Sequence, residues 1–397
     1  MSITADDGAE APKPKLLIPF ALGHCANDLA PVAMYLIIPA FGLAYGLTPV
    51  EIGLLFTIHA LGASLAYLPA GILSDHVARR GLLLLATFFW VGLGYFFAGF
   101  ATDFWTFAIL ITLAGAGDAA WHPMATGILT GIHKERRAYA LGVHAIGGHM
   151  AEILALVATG YLLTYLDWGS SLQLLTIPAL AMGVAFLFIQ ARVPRSGEKM
   201  GRADFAEIWR AWIAPSGLRI VALFVTYNMA VFAMLTMTPV YLQNDHGFGW
   251  QSTALALAAM MVLGVLAQPA MGRVSDVIGR RPVLVLGNLI AALAAAAAWL
   301  APSLILVLLA LGLALTVLVA VRAVMLAVAV DYAGKREGTN LGLAFVFMDG
   351  VGALAAVLAG AVGEYDLRYA FLLAGVFSAV ATVLALIALQ PRLGRLA

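Results

Sequence analysis

Long apolar stretches alternate along the chain with short clusters of basic residues, and this alternation predicts the architecture. The clusters are Lys13/Lys15, Arg79/Arg80, Lys134/Arg136/Arg137, Arg192 to Arg219, Arg273/Arg280/Arg281, Lys335/Arg336 and Arg392/Arg395, and the runs between them are 63, 53, 54, 53, 53 and 55 residues long. A membrane-spanning helix needs about 20 apolar residues, so each run holds two spans and a tight turn. Turn-forming residues sit near every midpoint: Gly46-Leu-Thr-Pro49, Thr102-Asp103, Asp167-Trp168-Gly169, Asp245-His246-Gly247, Ala301-Pro302-Ser303 and Glu364-Tyr-Asp366. Six hairpins predict an all-α membrane protein of twelve transmembrane helices. Of the 22 Lys and Arg, twenty lie on one side of these hairpins, Arg368 lies on the other and Arg322 lies inside a span. Positive charge favours the cytoplasmic face, which places both termini there and makes odd-numbered helices run outward.

Composition agrees with this picture. The chain has 397 residues, of which 63% are hydrophobic and 11% charged, with a mean hydropathy of +0.96; soluble domains average about 25% charge. The net charge of +1 supplies no basic field for nucleic acid. Cys25 stands alone and excludes an internal disulfide. Residues 1–15 are polar and proline-containing, and no cleavable leader is expected. The longest polar stretch, 193–215, reads as a linker between two halves. The expected division is therefore a cytoplasmic tail 1–15, a bundle 16–192, the linker 193–215, a second bundle 216–390 and a tail 391–397.

The halves repeat. Gly71-Ile-Leu-Ser-Asp75-His-Val-Ala-Arg79-Arg80 after helix 2 recurs as Gly272-Arg-Val-Ser-Asp276-Val-Ile-Gly279-Arg280-Arg281 after helix 8, at an offset of 201 residues. Glycine for close helix approach, aspartate at a helix end and arginines able to pair with neighbouring acids make each copy a candidate cytoplasmic latch, with Gly71, Asp75, Arg79, Arg80, Gly272, Asp276, Arg280 and Arg281 as gating residues. Parallel repeats of six helices are a transporter plan with substrate bound at the repeat interface. On this duplicated loop the chain resembles the major facilitator superfamily. It is similar in particular to the fosmidomycin-resistance-like branch, through Gly23-His24-Cys-Ala-Asn27-Asp28, Leu47-Thr-Pro-Val-Glu51-Ile-Gly53 and Gly115-Ala-Gly117-Asp-Ala-Ala-Trp121-His122-Pro123. The first loop departs from the family pattern at His76 and Ala78. The resemblance implies two pseudo-symmetric bundles, a cavity lined by helices 1, 4, 7 and 10, proton-driven export of a small molecule, and a multi-pass location in the bacterial inner membrane.

Ionisable residues inside spans are costly and are functional candidates by default. Helix 1 presents His24, Asn27 and Asp28 on one face, and helix 4 presents Asp118 and His122 at i and i+4. Helix 5 adds His144, His149 and Glu152, helix 7 Tyr227 and Asn228, helix 10 Arg322 and helix 11 Asp349. Asp28, Asp118, Glu152 and Asp349 are the expected proton carriers, in that order. The expected substrate contacts are His24, Asn27, His122, His149, Tyr227, Asn228 and Arg322. The planar fork of Arg322 suits a carboxylate, phosphonate or phosphate, or an internal pair with Asp118 or Asp349. The imidazoles and carboxylates of His24, Asp28, His122, His149 and Glu152 also form an alternative path for a divalent transition metal. Met229, Met234, Met237, Met260 and Met261 read as adaptable apolar lining.

An intramembrane enzyme is the rival class. His149-Met-Ala-Glu152 is not the HExxH of a zinc protease, and the chain has no complete phosphate-binding loop and no nucleophile elbow. The sequence thus predicts a non-enzymatic, proton-coupled secondary transporter without cofactor. It is expected to act as a monomer in the lipid bilayer and to export a small anionic or amphipathic organic compound, with a divalent metal as the alternative cargo.

Overall fold

The computed structural model describes residues 16–133, 137–195, 202–333 and 337–389. The two tails expected at 1–15 and 391–397, and the basic residues Lys134, Arg136, Lys335 and Arg336, lie outside the described residues. Twelve described helices are long and apolar enough to span a bilayer. The first six are α1 (Leu17–Tyr45), α2 (Pro49–Ser74), α3 (Arg80–Ala98), α4 (Phe104–Ile132), α5 (Tyr139–Tyr165) and α6 (Trp168–Arg192). The second six are α7 (Pro215–Asn244), α8 (Trp250–Ile278), α9 (Arg280–Leu300), α10 (Leu304–Tyr332), α11 (Leu341–Gly363) and α12 (Arg368–Ala388).

Each outer turn falls where the sequence places it, and local chemistry explains why. Gly46 takes a left-handed φ of 67° to end α1. Thr48 and Glu51 then form a reciprocal capping box with Pro49 at the first helical position. Asp103 accepts hydrogen bonds from Trp105 N and Thr106 N, both 3.0 Å, and Asp167 accepts from Ser170 N at 2.9 Å. These caps satisfy N–H groups that the helices leave without partners. Between the halves, the helix Arg202–Ile213 buries Trp212 against Phe224, Tyr332 and Phe347. The linker is thereby held to the second half.

Large apolar side chains such as Leu22, Trp90, Leu113, Leu263, Leu293 and Leu309 are exposed around the outside. In water such a surface would be a liability; in a bilayer it is the lipid-facing belt. Helix association inside a membrane depends on close van der Waals packing rather than on water release, and small residues supply it. The two halves meet along their outer ends, where α2 packs on α11 and α5 on α8. A Cβ added at Gly53 would fall on the Ala356 carbonyl, one at Gly360 on the Pro49 carbonyl, and one at Gly160 on Ala254. Toward the cytoplasm the halves still touch, through the inner part of α2 and through α4 against the inner part of α11, but they share less contact there than at their outer ends, an inward-facing arrangement.

Candidate functional site

Two polar groups face each other at the middle of the bundles, one on each half. The first is built on α1 and α4. Helical spacing puts His24 and Asp28 one turn apart, and the His24 Nε2 to Asp28 Oδ2 separation is 3.2 Å. On α4 the same spacing sets His122 Nε2 3.5 Å from Asp118 Oδ1, and His122 Nε2 lies 3.7 Å from Asp28 Oδ1. Asn27 joins the helices: its Nδ2 donates to Asp28 Oδ1 at 3.2 Å and to Asp118 Oδ1. His24 is fixed from behind by α5. Gly147 and Gly148 bring that helix so close that an added Cβ at Gly148 would lie 2.6 Å from the His24 ring. The His24 Nδ1–H donates to the His144 carbonyl at 2.8 Å. The His144 ring stacks on His24 at 4.2 Å and on Trp121 at 5.2 Å, closing the back of the site with aromatic surface.

The second group joins α7, α10 and α11. Arg322 lies 3.5 Å from Asp349 Oδ1, so among the acids the sequence offered as partners, Asp349 holds it. A π-helical turn, Val346–Gly350, interrupts α11 here; such turns leave backbone groups in need of partners and concentrate at functional sites. Asn228 supplies one, donating to the Met348 carbonyl at 2.6 Å and to Asp349 Oδ1 at 3.2 Å. Tyr227 donates to the Leu318 carbonyl at 2.6 Å, one turn before Arg322. Tyr227 and Asn228 are thus buried in the seam between helices, where the Tyr227 hydroxyl and the Asn228 Nδ2 hold α10 and α11 in place, while among the described residues Asn228 Oδ1 is buried without a hydrogen-bond partner. Further along α11, Thr57 of α2 donates to the Ala353 carbonyl at 2.8 Å and accepts from Val357 N at 3.2 Å, bridging the halves where the helical ladder is irregular.

The third candidate pair stands apart from the first group. His149 Nδ1 and Glu152 Oε2 are 3.3 Å from each other on α5, with Glu152 within electrostatic reach of Arg322. Of the five residues in the alternative metal set, the structure gathers three, His24, Asp28 and His122, with donor atoms all within 4.8 Å. The ionisable side chains of these groups keep between 14% (His24) and 34% (Arg322) of their surface accessible.

One residue that the sequence reading did not single out connects the two groups. Tyr67 on α2 donates to Asp349 Oδ2 at 3.3 Å, stacks on Phe345 at 5.4 Å and lies 6.3 Å from the His122 ring. It follows a turn at Leu65 and precedes Pro69, where α2 is broken; the proline and the turn are its only sequence signal.

The duplicated loops differ in their contacts. Arg280 donates to Asp276, to Ser275 Oγ at 2.6 Å and to Asp331 Oδ2 at 3.1 Å, tying α8, α9 and α10 together. In the first copy Arg80 Nε donates to the Ser74 carbonyl at 2.9 Å; the side chain of Asp75 lies outside the described residues. These bonds run within each half. Neither loop glycine mediates a tight approach: an added Cβ at Gly71 would meet Pro123 at 3.6 Å and one at Gly272 would meet open space. Arg79 and Arg281 sit beside these latches at the starts of α3 and α9.

Comparison with known proteins places this architecture. The family model described as Major Facilitator Superfamily matches residues 20–267 and 251–395. The chain is 28% identical over 262 residues to the "Probable 4-methylmuconolactone transporter" of Cupriavidus pinatubonensis, covering 63% of this chain and 60% of that protein. It is 30% identical to the proline/betaine transporter of Escherichia coli over 145 residues, covering 31% of this chain and 28% of that one. These two matches thus span less than two thirds of the relatives' own length. The fosmidomycin resistance protein of Escherichia coli is 23% identical over 358 residues, covering 87% of this chain and 85% of its own. The "Probable sulfoacetate transporter" of Cupriavidus necator is 24% identical over 362 residues, covering 82% of each chain. A crystal structure of a bacterial homologue of the human lysosomal transporter Spinster, in an inward-facing and unoccupied conformation, superposes with a TM-score of 0.78 at 16% identity, covering 96% of this chain and 98% of that one. The family is one of transporters and not of enzymes. The chain belongs to the major facilitator superfamily and is a multi-pass membrane protein.

Proposed function

We propose that the protein exports a small organic anion, or an amphipathic compound with an anionic group, in exchange for protons. The observation that carries this reading is Arg322: a permanent cation midway along a span, partly accessible, and balanced by one internal carboxylate at 3.5 Å. An incoming carboxylate, sulfonate or phosphonate offers Arg322 the same geometry as Asp349 and competes with it. Asp349 yields Arg322 to the anion and takes it back after release. Asp28, Asp118 and Glu152 on the N-terminal half hold the exchanged protons: they are protonated in the substrate-free return step and lose those protons to the cytoplasm before the anion binds. His24, Asn27, His122 and His149 are assigned as contacts for the neutral part of the substrate; Tyr227 and Asn228 position α10 and α11 around it. Sulfoacetate, named for one relative, is an anion of this kind. Alternation then consists of closing the cytoplasmic ends, with the two Gly-Asp-Arg loops as the gate, while the outer seam of α2/α11 and α5/α8 opens.

Purified protein in proteoliposomes with an internal pH indicator tests the reading. Organic anions are expected to evoke proton movement that a protonophore abolishes and that Arg322→Ala removes. Anion transport with no accompanying proton movement would overturn the coupling. A divalent metal as cargo is the second reading, favoured by the convergence of His24, Asp28 and His122. Metal-evoked proton flux that Arg322→Ala leaves intact would select it.

A further inference from the structure

We propose that His24, Asp28 and His122 form a three-residue binding site for a borderline divalent transition-metal ion of the Zn²⁺ type, whose fourth position is open to water. The inference starts from the tautomer of His24. A backbone carbonyl can only accept, so the His144 carbonyl 2.8 Å from His24 Nδ1 requires the proton on Nδ1. In the neutral ring, Nε2 then carries a lone pair, and it faces the Asp28 carboxylate at 3.2 Å. Two acceptors in that position need a proton or another cation between them. An imidazole whose second nitrogen donates to a carbonyl is also the arrangement by which proteins orient histidine for a metal.

The remaining distances match the same occupant. His122 Nε2 stands 3.7 Å from Asp28 and 3.5 Å from Asp118, too long for good hydrogen bonds. Zinc–nitrogen and zinc–oxygen bonds of about 2.0–2.1 Å in a tetrahedron set ligand–ligand edges of about 3.3 Å. The two histidines lie 3.2 and 3.7 Å from the two oxygens of Asp28, near that edge, and one donor atom from each of the three residues lies within 4.8 Å of the others. Asn27, donating to both carboxylates, holds them at the site. Two imidazoles and one carboxylate suit Zn²⁺ and its neighbours and suit Mg²⁺ poorly, since that ion prefers an octahedron of oxygens. The ion occupies the place of the shared protons, so metal and proton compete for these lone pairs. The other ionisable groups in electrostatic reach of the cluster are Cys25 on α1, Tyr67 on α2, Tyr95 on α3, Asp118 on α4, His144 on α5 and Asp349 on α11. The site stands on geometry independent of Arg322, and its failure leaves the organic-anion reading untouched.

Isothermal titration of tag-free, detergent-purified protein with ZnCl₂, with MgCl₂ as the control, tests the site. The expected result is one saturable Zn²⁺ site per chain and no Mg²⁺ site. Affinity is expected to fall at least tenfold in His24→Ala and in His122→Ala, and to be retained in His76→Ala and His246→Ala, which remove exposed histidines elsewhere. Zinc-edge X-ray absorption on the unaltered protein provides a readout that does not depend on variant folding, and two imidazoles in a four-coordinate shell are expected. Absence of a saturable site, affinity unchanged in both cluster variants, affinity lost with the exposed histidines, or a shell lacking the two imidazoles would each overturn the assignment.

Discussion

Substituting Gly53 by valine should open the outer face of the transporter. In the inward-facing state the Gly53 backbone lies against the backbone of α11, and the first carbon of any side chain falls on the Ala356 carbonyl oxygen. The obstacle is main chain, which cannot rotate aside as a flexible side chain would, so relief requires α2 and α11 to separate. Overpacking of this kind costs about 1–3 kcal/mol. The cost attaches only to the state in which the outer ends touch, so the balance moves toward the outward-facing state by about 5- to 150-fold, at about 1.4 kcal/mol per tenfold. Cys25 is the chain's single cysteine, and on a Cys25→Ser background spin labels at Tyr165→Cys and Gln251→Cys report across the outer α5/α8 seam. Gly53→Val is expected to shift the pulsed-dipolar distance distribution to longer values. Gly127→Val, at a cytoplasmic position where an added Cβ meets nothing within 4 Å, should leave the distribution in place. A folded Gly53→Val protein with an unchanged distribution would refute the assignment of this seam as the outer gate.

Further outcomes follow from individual contacts. Tyr67→Phe removes the cross-bundle hydrogen bond to Asp349 (3.3 Å), worth about 0.5–1.5 kcal/mol. Labelling of a cysteine placed at Met229, beside Asn228, by a cytoplasmic impermeant reagent should therefore quicken several-fold; an unchanged rate would show that the Tyr67–Asp349 bond does not hold the two halves together. Arg280→Ala breaks the bond to Asp331 across α9 and α10, but Asp331 is well exposed, so thermal unfolding should register no more than about 1 kcal/mol. Loss of Thr48 in Thr48→Ala dismantles the α2 capping box and should destabilise the protein by about 1 kcal/mol, read as a lower unfolding midpoint in detergent. At the start of α6, hydrogen bonds from Ser170 hold the Asp167 carboxyl below the usual carboxylate range. Its contribution is complete above the unfolded-state pKa of about 3.9 and is lost as pH falls through the lower folded value. Asp167→Asn should accordingly flatten the acid limb of a stability–pH curve; an identical limb in both proteins would show that the cap does not respond to pH.

The hairpins were legible because basic clusters and turn residues recur at nearly equal spacing, and the structure puts Gly46, Asp103, Asp167, Gly247 and Asp366 at or beside the outer turns. Pairs within one helix were legible for the same reason: an i, i+4 separation places His24 beside Asp28 and Asp118 beside His122 whatever the tertiary packing. What joins one helix to another is set by packing and has no period to read. Asp349 rather than Asp118 holds Arg322, and Asp349 sits within a π-helical turn of α11 that no residue type announces. Tyr67 reaches Asp349 across 282 positions of sequence, and His144 supports His24 through its carbonyl, a group every residue carries. Tyr227 and Asn228, polar residues on a cavity-forming helix, turn inward to satisfy neighbouring carbonyls; their sequence position alone cannot separate a lining side chain from a seam residue. The glycines of the two cytoplasmic loops were legible as a repeat, whereas their lack of tight contacts was not.

The central claim is that an anionic substrate takes the place of Asp349 on Arg322. Binding of a small organic dianion such as sulfoacetate to detergent-purified protein, measured by calorimetry in the unaltered chain, Arg322→Gln and Asp349→Asn, tests it directly. The account predicts loss of binding in Arg322→Gln and tighter binding in Asp349→Asn, where the guanidinium is released from its internal partner. Binding that survives in Arg322→Gln, or that disappears in a folded Asp349→Asn protein, would contradict it.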